Sequence, residues 1–303
     1  MRLSFLIAAH AYPELLARLV ERIQRPFTSI FIHIDKGADI RLFQTVFEKR
    51  NIRDIHWVPR VHSGWATFGQ VKASLSLLRQ ALYHDKESER FILISGQDYP
   101  LSSPEVMLEF FRHRKHVNFI SCFPLPFNGW SGNGGFDRIR HHHFTFSGFR
   151  FEFPCVQVPS SRRIYLAYQL CRLLLPRTRS LPENIRFFGG GNWWDLTREA
   201  AEAIIEYTKQ NPGFSRIFRF SKSSDEIFFQ TILMNSGRQW ILDNNILRSV
   251  FWDGRHNEYP SIVRLSDFDE LVQSGKFFAR KIHPEHSLSL INRIDRELLA
   301  CKN

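Results

Sequence analysis

Two adjacent carboxylates, Asp225 and Glu226, lie in SSDEIFFQTILMNSG just ahead of an apolar run. Three cations stand near the ends of two other apolar segments: Arg248 in ILRSVFWDG, and Arg280 with Lys281 in FFARKIHP. An acid that can take a proton and cations that can hold an anion are the two halves of a group-transfer site. The structural alternative is that Ser224 caps a helix, so that Asp225 and Glu226 occupy a first turn whose dipole favours carboxylates without any ligand. Each cation taken alone reads equally well as surface charge. Their placement directly after apolar residues is what speaks against a solvated face.

A second group of candidates lies in FILISGQDYPLSSP, residues 91–104, where an apolar run stops at a turn carrying Gln97 and Asp98. Asp98 could hold a metal, hold a sugar or close the loop. Its turn offers no second carboxylate, and metals that bridge a diphosphate recruit one or two carboxylates beside the phosphates. In GGGNWWDLTR the glycines permit close backbone approach, and Trp193 and Trp194 can stack on a sugar face or simply be buried in a tight turn. That stretch has neither the Lys-Ser/Thr of a P-loop nor the third glycine of a dinucleotide fingerprint. His141, His142 and His143 would alternate faces on a strand, which is a poor metal-ligand set. Asp267-Phe268-Asp269 is the only Asp-x-Asp and reads, behind Ser266, as a helix start.

The elements that must position these residues alternate regularly. Strands are expected at 3–10, 29–35, 54–58, 90–95 and 116–123, with helices at 13–24, 40–50 and 68–85 and one capped by Ser103. That rhythm predicts an α/β fold with a mainly parallel central sheet and helices on both faces. Ligands of such sheets sit beyond the carboxyl ends of the strands, which puts His10, Asp35 and the 95–98 turn on one rim. Residues 126–180 keep no period and read as an irregular acceptor-side insertion. Within it, 161–179 reads as a helix that stops at Pro176, basic at both ends and apolar between; it can lie on an anionic membrane surface or pack on the core with solvated ends. With no linker and no repeat, 1–303 reads as a single domain: a nucleotide-sugar half (1–125), the variable region and a catalytic half (181–303).

The 303 residues suffice for a large core, and the 29 Phe must supply much of it. A formal charge of +11 favours anionic partners such as a phosphate-bearing substrate, an anionic lipid or nucleic acid. Cys122, Cys155, Cys171 and Cys301 have no paired spacing, which favours free thiols and a reducing, cytoplasmic setting. The apolar run at 3–9 is far shorter than the ~20 residues of a membrane span.

Eight blocks in order, AAHAYPELLARLV, IFIHIDKGAD, GWATFGQVKASLSLLRQAL, FILISGQDYPLSS, GGGNWWDLTR, SSDEIFFQTILMNS, DNNILRSVFWDG and FFARKIH, resemble the core-2/I-branching N-acetylglucosaminyltransferase family, which includes the peptide O-xylosyltransferases. The resemblance runs from about residue 3 to 299 and is weakest at 126–180. It implies a GT-A-like fold, a UDP-sugar donor (UDP-GlcNAc first, UDP-xylose as the alternative) and inverting transfer to a hydroxyl of a surface glycan or glycolipid precursor. It also implies that no metal or other cofactor is needed. Glu226 would be the base, with Asp225 orienting it or setting the helix start. Arg248 and Lys281 would replace the ion at the diphosphate, while His10 and Asp35 would seat the nucleotide. Gln97 and Asp98 would touch the donor sugar or shape the turn. The chain resembles a bacterial cytoplasmic member, with contact at the inner membrane face through 161–179 as a further option. Two rival classes are a basic nucleic-acid-binding module, for which no RNA-binding or helix-turn-helix signature is present, and a catalytically silent glycan binder.

Overall fold

The computed structural model describes residues 1–146, 149–154, 162–252 and 260–300. Seven strands form the central sheet in the order Ile241–Asp243, Val117–Ile120, Trp194–Thr197, Ser88–Ser95, Arg2–Ala9, Thr28–Ile34, Ile55–Trp57. Only Trp194–Thr197 runs antiparallel to its neighbours. The two central strands, SERFILIS and RLSFLIAA, are almost continuously buried, as expected of a sheet covered on both faces.

Apolar clusters fill both faces. On one side Val71, Leu75 and Leu78 of helix Phe68–His84 pack with Phe91, Leu93 and the helix Phe228–Asn235; on the other, Leu16, Leu19 and Val20 of helix Pro13–Ile23 pack with Phe5, Ile32 and Ile94. Local signals set the helix starts. Pro13 occupies the first turn of its helix, and the Ser103 Oγ accepts from the Val106 N–H at the start of Pro104–Arg112.

The expected capping by Ser224 is not what folds. Ser224–Glu226 forms a 3₁₀ turn, the α-helix starts only at Phe228, and Ser224 Oγ is buried without a hydrogen-bond partner. Asp225 and Glu226 are therefore held ahead of the helix rather than inside its first turn. Ser223 just before them has a left-handed φ of 47°, and its N–H donates to the carbonyl of Ala66, itself at φ 58°. Two residues in a conformation that glycine prefers thus fasten the acid turn to the 63–67 loop, a cost of the kind that concentrates at functional sites.

The 126–180 region adds a hairpin to the helix its sequence suggests. It contains an antiparallel hairpin, His142–Phe146 with Phe149–Phe153, and a helix Arg162–Leu174 that ends two residues before Pro176. His141 and His143 both lie toward Glu152, at 2.5 and 3.7 Å, while His142 turns the other way against Phe144 and Phe153. The alternation expected of three histidines on a strand is present. Asp267 ends the 3₁₀ turn Leu265–Asp267 just ahead of helix Phe268–Gln273, its carboxylate accepting from the Arg264 N–H.

Among the described residues no helix is long and apolar enough to cross a membrane. Cys122 and Cys171 are free thiols, and Cys155 and Cys301 lie outside the described residues.

Candidate functional site

A cleft of about 400 Å³ opens beyond the carboxyl ends of the central strands. Ala8, Ala9 and His10 line it from the first strand, Asp35 from the end of the second, and Ser95, Gly96 and Gln97 from the turn after Ser88–Ser95. The far wall comes from the later part of the chain: Asn192, Trp193, Asp225, Arg280 and Lys281. The rim anticipated from strand order is thus one wall of a single cleft, and the cations and an acid form another.

Asp98 closes the loop and does more. Its side chain is fully buried; Oδ2 accepts from the Ser95 N–H at 2.7 Å, and Oδ1 accepts from Arg280 Nη1 at 2.9 Å. Arg280 also donates to Ser95 Oγ at 2.5 Å and lies over the Trp193 ring at 4.6 Å. Asp98 is therefore a turn-former and an anchor for a cleft cation rather than a sugar contact. Gln97 faces the cleft, with its Nε2 donating to the Ile282 carbonyl at 3.2 Å, and so ties the same turn to the strand that carries Arg280. Lys281 is half-buried; burial and the neighbouring Arg280 charge push its pKa down. Burial, then Lys281, also lowers His10, so an electropositive region stands opposite the acid turn. Burial would raise Asp35, but hydrogen bonds from Ser63 and Gly37 prevail and hold it below the ordinary carboxylate range.

Arg248 does not belong to this wall. Its guanidinium is wholly buried, donates to both Asp195 oxygens at 2.5 and 2.7 Å, and donates again to the carbonyls of Leu93 and Ile246. Antiparallel pairing of Trp194–Thr197 with the strand before Ser95 puts an acid in mid-sheet, and Arg248 neutralises it. The expected diphosphate contact is corrected accordingly: a guanidinium shut in the core, with both Nη atoms bonded there and outside the cleft lining, is not placed to meet a substrate. Replacing it by Met should leave Asp195 buried without its partner and cost about 3–5 kcal/mol, the typical range for a broken buried pair. Thermal unfolding would read this as a Tm lower by about 5–8 °C; an unchanged Tm would show that the pair is dispensable.

Trp193 and Trp194 part company as well. Trp193 lines the cleft, but Trp194 is fully buried in the main core against Phe229, so only one of the two can meet a sugar. The glycines before them serve packing. A side chain at Gly190 would collide with the Ser121 carbonyl, and the Gly190 N–H donates to the Glu226 carbonyl at 2.8 Å, which fixes the acid turn.

Of the two acids, Asp225 faces the cleft and is nearly inaccessible, while Glu226 is about one-third exposed and paired with Arg138. Arg138 lies over Trp130 at 3.7 Å. Burial and the charge of Glu226 push Asp225 up to about 7, and Asp225 Oδ1 has no hydrogen-bond partner. Burial also raises Glu226, against the opposing pull of Arg138. A like charge beside a buried carboxylate raises its pKa in this manner. Sequence reasoning missed Arg138, which lies in the aperiodic 126–180 region and reaches Glu226 only through the tertiary fold.

One group of possible metal ligands exists among the described residues, His283, Glu285 and His286, with ligand atoms within 4.8 Å of one another. It sits on an outer turn and does not line the cleft.

A mostly parallel sheet, a cleft at its carboxyl edge and an acid turn facing cations define a transferase-like α/β site. The profile of the Core-2/I-branching enzyme family matches residues 3–272, and the chain belongs to that family, whose GT-A-like α/β fold it has. It is 23% identical over 98% of its length to beta-glucuronosyltransferase GlcAT14B of Arabidopsis thaliana, covering 66% of that protein. It is likewise 23% identical to human xylosyltransferase 1 over 97% of its length, covering 30% of that protein. The chain thus spans from about a third to about two-thirds of these relatives. Among solved structures, S. aureus TarS 1–349 bound to UDP aligns with all of the chain and 67% of that TarS chain, at 14% identity and a TM-score of 0.37.

Proposed function

We propose that this chain is an inverting glycosyltransferase that moves a sugar from a UDP-sugar to a hydroxyl of a surface glycan or glycolipid precursor, without a metal. The observation that carries the reading is the meeting of Arg280 and Lys281 with Asp225, the chain neighbour of Glu226, in one cleft. Glu226 takes the proton of the acceptor hydroxyl as its oxygen attacks the anomeric carbon. The bond from that carbon to the UDP oxygen breaks on the opposite face. Negative charge then gathers on the diphosphate, where Lys281 and the anchored Arg280 meet it. His10 and Asp35 lie where the nucleotide would be seated, and Trp193 offers a ring to the sugar.

The donor we favour is UDP-GlcNAc. The names of the relatives bring UDP-xylose and UDP-glucuronate into the same comparison. A thermal-shift panel of the three separates them: a donor at about 100 times its Kd stabilises the fold by about 2.7 kcal/mol, or roughly 4 °C for a chain of this size. No shift with any UDP-sugar would refute the reading. Transfer should also proceed undiminished in EDTA; loss of activity restored by manganese would overturn the metal-free part.

A further inference from the structure

Helix Arg162–Leu174 turns its leucines the wrong way. Leu166, Leu170, Leu173 and Leu174 are exposed by 60, 56, 80 and 66%, and Tyr165 beside them by 41%. Their spacing of i, i+4, i+7 and i+8 puts the four leucines on one arc of roughly 100°. The opposite side is already used: the Tyr168 ring packs against Phe153 of the hairpin at 5.5 Å, and Cys171 is half-buried. An amphipathic helix ordinarily buries its apolar stripe, and a contiguous exposed one marks a contact surface.

Charge identifies what covers it. From Phe153 to Pro182 the sequence has five arginines and no acid. Arg162, Arg172 and Arg177 are exposed, with Arg162 on the flank of the leucine arc. Arg179 donates to the carbonyls of Ile139 and Ile217, so this segment joins a surface that also exposes Arg140, Arg216 and Arg219. A second copy of the chain would bring another formal +11 and the same arginines against these. An anionic bilayer offers an apolar phase for the leucines and phosphates for the guanidiniums, the combination that holds an interfacial helix.

We infer that this helix docks the chain on an anionic membrane surface, its leucines entering the headgroup–acyl boundary. The inference stands apart from the reading of the cleft, though the two fit together. Arg179 ties the docked segment to the backbone at Ile139, beside Arg138, the partner of Glu226, so a lipid-linked acceptor would arrive near the base.

Sedimentation with vesicles tests it. The full chain should pellet with phosphatidylcholine–phosphatidylglycerol vesicles and bind phosphatidylcholine alone about tenfold more weakly or less. The Leu170→Glu/Leu173→Glu variant, altered only at exposed positions and checked for an unchanged Tm, should lose binding to the mixed vesicles by a similar factor or more. Equal binding to both vesicle types, retention of the wild-type chain in the supernatant, or undiminished binding by the leucine variant would each overturn the inference. So would a dimer by light scattering that the leucine substitutions convert to a monomer, since the stripe would then be covered by a second copy.

Discussion

Glu226→Gln is expected to lower the rate of sugar transfer by about 10²- to 10⁴-fold, the usual contribution of a positioned base, while leaving UDP binding close to the wild-type value. Gln keeps the shape and can still accept from Arg138, so the variant removes proton transfer and little else. Asp225→Asn should behave differently. Asp225 is buried, and the charge of Glu226 helps it keep its proton, so replacing it should leave the ionisation of Glu226 close to where it is. Because burial raises Glu226 against the pull of Arg138, the acidic limb of the rate profile should lie above the ordinary carboxylate range. Activity rises with pH through that limb as the base loses its proton. Asp225→Asn should leave the limb in place with turnover retained. If Asp225→Asn abolishes transfer and Glu226→Gln does not, the two acids exchange roles.

Stability runs the other way across the same window. An acid whose folded pKa lies above its unfolded value holds its proton more tightly when folded, so between about pH 4 and 7 the contribution of Asp225 to stability falls as pH rises. Chemical denaturation of the wild-type chain and of Asp225→Asn at pH 5 and pH 8 measures this; the variant should lose part of the decline.

The sheet was legible because its signal is local. Runs such as FILI and LIAA can be satisfied only by burial, and Pro13 and Ser103 mark helix starts within a few residues of chain. The rim of the cleft followed from topology alone, since strand order places His10, Asp35 and the 95–98 turn together. What sequence could not give was the state of charged side chains. Arg248 and Arg280 both follow apolar stretches, yet one meets a buried Asp195 and the other reaches the cleft wall; the difference is the antiparallel course of Trp194–Thr197, which no local pattern encodes. The tandem tryptophans divide for the same reason, because successive residues entering a strand point to opposite sides and only Trp193 is left at the cleft. Arg138 lay beyond reach for want of any period in its surroundings.

The second large effect is expected at the cation pair, and it separates a structural cation from one kept for the substrate. Arg280 is fixed by Asp98, Ser95 and the Trp193 ring, whereas the Lys281 ammonium faces Arg280 and His10 rather than a carboxylate among the described residues. Burial and like charge already lower the Lys281 pKa, so an arriving diphosphate relieves a strained cation at the point where negative charge grows. Preorganised donors of this kind are worth about 10²- to 10³-fold in turnover, and Lys281→Met should cost that much with only a small change in Tm. Arg280→Met should lose activity on the same scale but also destabilise, because Asp98 would remain buried with its strongest partner gone. Steady-state kinetics with thermal unfolding of both variants distinguishes the two cases. Full activity in Lys281→Met would move the diphosphate elsewhere in the cleft and, with it, the substitute for a metal ion.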